Sequence, residues 1–422
     1  MKRLFWFLII FIFLTQASLR AQEISLTLDE AISIALRDNR DVLLKVEDIK
    51  KAKAKIAEAK AGLLPTLNFT GGWTYTAGYY AKDLAQTTTQ TTLKQYLYKG
   101  GKTINTIRQN KYKLEVSQAL LDKTKLETVL NIKKAFYTLL LAGEFSNLNK
   151  GILDNTQEHL NFIQARYGNG EVSESDILKI KESLSSVQEA YEASINQVEA
   201  GQALLRNLLY LDEAVKINPT SQFVYEPKAV AYDEGFLQAM KNRPEIRQYE
   251  AQEMADKKAI EVAKADNRPS IYASWDYYSR SHAVATTVNT KNWNDYNIFG
   301  FTFSWPIFDG WATKAKVEQA IVDLKETQLT KEKAIKDIAL ELKNAYLDLK
   351  NAIAQMKSAQ TQINLYKDTL SVIQDKYKAG IASSLDLNDV SLGYEVSLFN
   401  QKQAIYDYIL AQARFDKATG GL

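Results

Sequence analysis

Two copies of one short pattern carry the side chains best placed for chemistry: Tyr167, Gly170, Ser173 and Asp176, then Tyr377, Gly380, Ser383 and Asp386. A serine with an acid three residues later makes a capping box at a helix start, and a carboxylate there also suits the helix dipole. Gly170 and Gly380 suit a turn that needs positive φ. The serines, acids and glycines of the motifs therefore have a structural explanation, beside which a functional one stays open. Asp389 has none of this kind. It lies three residues beyond Asp386, on the same helix side, and no cap requires it. Its counterpart in the first copy is Lys179, so repetition did not dictate an acid. Paired carboxylates on one helix side either gather cations or simply form a solvated face, and the residues alone leave both readings open.

The rest of the chain offers little for catalysis. There is no cysteine, which removes disulfide frameworks, thiol nucleophiles, cysteine-type zinc sites and a lipid-modified N-terminal cysteine. The only histidines are His159 and His282. No phosphate-binding glycine loop or metal-ligand cluster is written in the sequence, so no cofactor, no metal and no enzymatic activity are expected. Acid and base pairs on helices read as solvated faces with i,i+4 ion pairs. Of the 53 basic residues, Lys2, Arg3 and Arg20 precede Glu23, the first acid, which leaves 50 basic against 50 acidic residues. A nucleic-acid partner, which calls for a net basic footprint, is not expected.

The positions of these motifs depend on the elements around them. Lys2 and Arg3 precede an apolar run from Leu4 to Leu14, followed by small residues at Ala17 and Ala21. That order predicts a secretory signal peptide over 1–21, cleaved after one of those alanines. The run is too short to span a bilayer as a helix, and no later stretch is long and apolar enough to do so.

Beyond the leader the chain is written twice. A shift of 210 residues lays Tyr98-Lys99-Gly100 on Phe308-Asp309-Gly310, Ala135-Phe136 on Ala345-Tyr346, and the first tip motif on the second. Upstream the shift falls to 203 or 204, pairing Asn39-Arg40 with Asn242-Arg243 and Pro65 with Pro269. Such a constant offset marks a duplication. The units span 22–210 and 232–422, and 211–231, with Pro219 and Pro227, reads as a linker. Each unit opens with a helical stretch, 27–63 or 232–267, the first started by a Thr27/Glu30 capping box. A strand block follows, 67–98 or 270–308. Two helical stretches close each unit, 102–167 and 173–209, then 312–377 and 383–418.

The long helices carry coiled-coil seams. Ile335, Leu342, Leu349, Met356, Ile363, Leu370 and Tyr377 stand seven apart, with Ile338, Ala345, Ala352, Ala359, Tyr366 and Ile373 interleaved. A soluble bundle explains that seam equally well. Length argues further: a 66-residue helix measures about 100 Å, and the flanking stretches laid end to end nearly match it. That suits something spanning a gap better than a compact enzyme.

The strand blocks alternate. Leu67, Phe69, Trp73, Tyr75 and Tyr79 interleave with Asn68, Thr70, Thr74 and Thr76. In the second unit Ile271, Ala273, Trp275 and Tyr277, then Phe299, Phe301, Phe303 and Trp305, do the same, with Tyr272 out of pattern. Period two gives strands with one apolar, aromatic face, the signature of outer-membrane strands, with a hairpin tip at Lys82 and Asp83. Soluble hairpins packed on the coil are the alternative. Four strands cannot close a barrel, and an open edge cannot sit in lipid. Membrane entry therefore requires oligomers, and a trimer supplies twelve strands.

These residues resemble the TolC-like outer-membrane factor family of efflux and secretion channels. The likeness rests on Leu26-Thr27-Leu28-Asp29-Glu30-Ala31, on Gly62-Leu63-Leu64-Pro65, on the corners Gly100-Gly101 and Asp309-Gly310, and on the doubled tip motif. It covers the chain from about residue 24 to 422. The resemblance implies a membrane β-barrel joined to an α-helical barrel: a homotrimer with a 12-stranded barrel in outer-membrane lipid, continuous with a periplasmic helical tunnel. It implies a passive exit duct for small molecules, a periplasmic adaptor protein as partner and, through it, an inner-membrane transporter. A duct for type I protein secretion, or a periplasmic coiled-coil scaffold without a pore, are the rival readings. By the same resemblance Asp386 and Asp389 of three copies form a cation-selective gate ring. Tyr377 and Asp176 form a tip lock, with Ala382 where some members carry a further arginine. Tyr167, Gly170, Ser173, Gly380 and Ser383 belong to the adaptor-contact tip.

Overall fold

The computed structural model describes residues 23–78, 84–169, 171–226, 230–284 and 293–421. The expected signal peptide, the hairpin tip at Lys82 and Asp83, Tyr79, Gly170 and Pro227 lie outside them. The elements are β1 (Glu23–Leu26), α1 (Leu28–Asp38), α2 (Arg40–Ala61), β2 (Thr66–Thr76), β3 (Leu84–Lys99), α3 (Lys102–Gly168) and α4 (Glu174–Leu209). They continue with β4 (Lys216–Pro219), α5 (Tyr232–Asn242), α6 (Pro244–Lys264), β5 (Ser270–Val284), β6 (Trp293–Ser304), α7 (Ala312–Lys378) and α8 (Ser384–Thr419). Matching helices in the two repeats have the same lengths to within one residue. From α1 to β2 the offset is 204, and from α3 to α4 it is 210. The offset of 203 that aligns the two Asn-Arg pairs is therefore one residue short. The extra six residues enter the second hairpin between positions 280 and 294, where β5, at 15 residues, runs four longer than β2, at 11.

Helix periodicity alone hides a break that the structure makes in each opening helical stretch. In the first repeat Asn39 turns extended, with φ −63° and ψ 127°. Its Oδ1 then accepts from the Asp41 and Val42 N–H groups at 2.9 and 3.4 Å, starting α2. In the second repeat Arg243 has φ −64° and ψ 126°, because Pro244 forbids it the helical region and is itself suited to the first helical position. One geometry is reached by two devices.

The chain divides into two compact units. Of the described residues, the first holds those of 23–43, 123–243 and 337–421. Its core joins Leu26, Ala31 and Ala35 to Ile132, Phe136 and Leu139 of α3, Leu205 and Leu209 of α4, and Ile217. Ile217 belongs to β4, which pairs in parallel with β1, Ile24 opposite Ile217. The segment expected only to link the repeats thus carries a strand, too short for its alternation to be legible. In α7 the heptad seam is buried from Ile338 through Leu342, Leu349 and Met356 to Ile363, but Tyr366 and Tyr377 nearer the tip are exposed. Contacts between repeats bind this unit: Lys402 Nζ lies 2.6 Å from Glu144, and the Phe145 and Phe399 rings are 5.1 Å apart. A charged cluster in the same unit joins Arg243, Glu341 and Lys417, with Arg243 only 3 % exposed.

The second unit, 44–122 and 244–336, contains an antiparallel sheet in the order β2-β3-β5-β6. Inner strands β3 and β5 come from different repeats and pair from Leu84↔Val284 to Lys99↔Ser270, with a bulge between Tyr96 and Tyr98. β6 stops at Ser304 rather than 308, because its partner β5 begins at Ser270, opposite Ser304. At the β3–α3 corner Gly100 and Gly101 take φ +59° and +80°. A Cβ on Gly100 would stand 2.7 Å from Arg268 Cβ and 2.8 Å from the Ala265 oxygen, so only glycine fits.

Candidate functional site

The helical tip belongs to the first unit. α3 ends where the Arg166 carbonyl accepts from the Asn169 and Glu171 N–H groups at 3.1 and 3.0 Å. Its guanidinium pairs with Glu171 at 3.0 Å and lies 5.3 Å from the centre of the Phe162 ring. Ser173 then starts α4: its N–H and Oγ–H donate to Asp176 Oδ2 at 3.1 and 2.7 Å. The second tip repeats the design. Gly380 turns at φ +72°, and the Ser383 N–H and Oγ–H donate to Asp386 Oδ2 at 2.9 and 2.7 Å. The Asp386 N–H returns a bond to Ser383 Oγ at 3.1 Å. The Ser173 side chain holds the Asp176 carboxyl below the usual aspartate range, and Ser383 does the same for Asp386. Both acids stay ionised through any neutral pH.

Not every expected partner is brought together. The hydrogen bonds described for Asp176 go to Ser173, and none among the described residues joins it to Tyr377. Tyr377, 45 % exposed, instead lines a groove with His159, Phe162 and Arg166 of α3 and with Ser383 and Leu387. Arg166 is a tip residue that the repeat pattern did not single out. An arginine therefore stands near the tip tyrosine, supplied by the first repeat rather than by position 382. Tyr167 is also exposed. Asp386 and Asp389 are both exposed on α8, one helical turn apart, and no ion pair to either is described. Gly170 lies outside the described residues.

The sheet belongs to the second unit and has two unlike faces. One carries Leu67, Phe69, Trp73, Trp275, Phe299, Phe301 and Phe303, with Phe299 78 % and Phe301 82 % exposed. Trp275 and Phe299 stack at 6.5 Å between ring centres. The opposite face is polar. Asp276 accepts from Thr92 Oγ1 at 2.6 Å and from Gln90 Nε2 at 3.0 Å. Tyr272, out of pattern in the sequence, belongs here: Lys94 Nζ lies 3.8 Å from its ring centre and 4.7 Å from that of Tyr96. Water would not favour so large an aromatic face left bare, whereas hydrocarbon would. Among the described residues no helix is long and apolar enough to cross a membrane, and no cluster of acids and histidines is arranged to hold a metal ion.

An aromatic-faced, four-stranded sheet carried on duplicated long helices defines a class: outer-membrane channels with a large periplasmic helical part. The profile of the outer membrane efflux protein family matches residues 31–209 and 237–421, and the chain belongs to that family. It is 22% identical to the alkaline protease secretion protein AprF of Pseudomonas aeruginosa, over 94% of this chain and 85% of that one. Among solved structures it is similar to the CmeC outer membrane channel of Campylobacter jejuni, with a TM-score of 0.76 at 19% identity, covering 93% of this chain and 85% of that one. The MtrE outer membrane channel of Neisseria gonorrhoeae, solved in its open state, gives 0.75 at 18% over 96% and 93%. The protein is thus a TolC-like outer-membrane channel protein.

Proposed function

We propose that three copies of this chain close their sheets into a twelve-stranded barrel and form a passive exit duct for small molecules. The observation that carries this reading is the sheet itself. Its aromatic face suits lipid, yet β2 and β6 leave two unpaired edges that hydrocarbon does not tolerate. Only closure with further copies removes them. The duct would receive its cargo from an inner-membrane transporter through a periplasmic adaptor, which docks on the tips around Tyr167, Gly170, Ser173, Gly380 and Ser383. At the tips Asp386 and Asp389 of three copies make a ring of six carboxylates that draws cations and that multivalent cations plug. Tyr377, held in its groove beside Arg166, is the tip-lock side chain, and Asp176 is its partner when the tips rearrange.

The test is the mass of the detergent-extracted protein with the detergent contribution subtracted. Three times the mature chain supports closure. A soluble single chain obtained without detergent overturns it in favour of a scaffold. The name of the Pseudomonas relative favours a second reading, in which the cargo is a secreted protein. Deleting the chain and scoring drug sensitivity against loss of an exported protein separates the two.

A further inference from the structure

The two hairpins pair in the same register. β2 pairs with β3 as Thr66↔Lys94 and Leu67↔Leu93. Shifting the first strand by 204 and the second by 210 turns these into Ser270↔Ser304 and Ile271↔Phe303, which are the observed β5–β6 pairs. The β3–β5 seam is therefore a contact of one repeat with the other, made within the chain. The unpaired edges β6 and β2 are the same two repeat surfaces.

We propose that β6 pairs with β2 of a second copy in the register inherited from β3–β5. This rests on the proposed trimer and adds its register. The internal pair Thr92↔Asp276 becomes Thr302 opposite Gly72 of the partner subunit. Leu93↔Trp275 becomes Phe303 opposite Gly71 of the partner subunit, and Thr91↔Tyr277 becomes Phe301 opposite the partner's Trp73. Phe299 then faces the partner's Tyr75. The register joins aromatic to aromatic on the lipid side and lays Phe303 over a glycine, two arrangements that stabilise cross-strand pairs. A one-residue slip would turn the phenylalanines away from lipid.

The strand-to-helix corners extend the argument. Within the chain Gly100 fits against Ala265 and Arg268, its carbonyl accepts from Arg268 Nη1 at 3.2 Å, and Lys102 pairs with Asp266 at 2.6 Å. The equivalent corner is Gly310, with φ +64° and nothing within 4 Å of an added Cβ. By the same offsets it meets Ala61 and Leu64 of the partner subunit. Here the ionic junction is replaced by an apolar one. Leu64, Ile307, Phe308 and Trp311 are all exposed, Ile307 86 % and Trp311 67 %. Trp311 holds φ +68° where the first repeat has Gly101, a conformation that a bulky side chain rarely adopts. The intersubunit corner gives those side chains a burial site.

The chain has no native cysteine, so introduced pairs read the register directly. Thr302→Cys is combined with Gly72→Cys in register, or with Thr70→Cys or Thr74→Cys two residues off. Ser304→Cys with Thr70→Cys is a second in-register pair. An added Cβ at Gly72 has nothing within 4 Å. β6 and β2 of one chain are three strand spacings apart, roughly 14 Å, beyond disulfide reach, so any bond joins two copies. Full-length protein in outer membranes is oxidised with copper–phenanthroline and run without reductant, with detergent mass measured in parallel. The in-register pairs should give dimer and trimer bands at least tenfold stronger than the displaced pairs. Stronger displaced pairs, or no bands from a protein of trimeric mass, overturn the register and leave the trimer standing. No bands from a protein of single-chain mass overturn the trimer itself. Leu64→Asp should cut the trimer fraction surviving mild heating in detergent several-fold, and an unchanged fraction overturns the corner contact.

Discussion

Gly100→Ala isolates the cost of one corner. Gly100 sits at φ +59°, and its added Cβ would lie 2.7 Å from Arg268 Cβ and 2.8 Å from the Ala265 oxygen. Placing an L residue in that conformation costs about 1 kcal/mol. Neither contact is the far end of a flexible side chain, so the backbone must move, at about 1–3 kcal/mol for overpacking. The sum is about 3 kcal/mol. The sheet unit spans 44–122 and 244–336, a size at which each kcal/mol moves the unfolding midpoint by about 2–4 °C. Heat unfolding of the detergent-solubilised protein, at fixed protein and detergent concentration, should therefore show a midpoint lowered by roughly 10 °C. Gly310→Ala is the comparison. It shares the backbone strain, at φ +64°, but meets nothing within 4 Å in its own chain. A loss confined to roughly 3 °C for Gly100→Ala would refute the packed corner, because strain alone accounts for that much. Any loss for Gly310→Ala beyond the strain value measures contact with a neighbouring copy.

Asp389→Asn should reduce cation selectivity and block by multivalent cations in planar bilayers without disturbing the tip helix, whereas Asp386→Asn should also weaken the Ser383 capping box. Equal conductance properties in Asp389→Asn and the parent would remove Asp389 from the gate. At Glu341, burial raises the carboxyl pKa, but Arg243 and Lys417 outweigh it and hold the group below the usual glutamate range. A depressed folded pKa contributes stability above the ordinary glutamate value and loses it as pH falls through the folded value. Glu341→Gln should therefore flatten the acid side of the stability profile. It should cost about 2 kcal/mol, less than the about 3–5 of a fully buried pair, since Glu341 keeps 37% exposure. Retained acid sensitivity of the same size would assign it elsewhere. Phe301→Lys, on the aromatic face, should weaken insertion into lipid vesicles by about 2–4 kcal/mol, and insertion at the parental level would deny that this face meets hydrocarbon.

Much of this protein is local and was legible along the chain. A capping box needs only a serine and an acid three apart, so the starts of α4 and α8 at Ser173 and Ser383 can be read directly. Strand alternation separates Phe299, Phe301 and Phe303 from Gly300 and Thr302 because successive side chains must point to opposite faces. Duplication, too, is a property of the sequence, and it sets the offsets of 204 and 210 between the starts of matching helices.

What the chain alone left undecided depends on partners distant in sequence. The break at Asn39 falls inside an unbroken apolar period, and β4 has four residues that become a strand only because β1 lies beside them. Tyr272 looked out of place until Lys94 and Tyr96 stood next to it. Tyr377 drew its neighbours from α3, two hundred residues earlier, because the two tips share one groove. Periodicity records how a residue faces its own element, and only packing decides which element it meets.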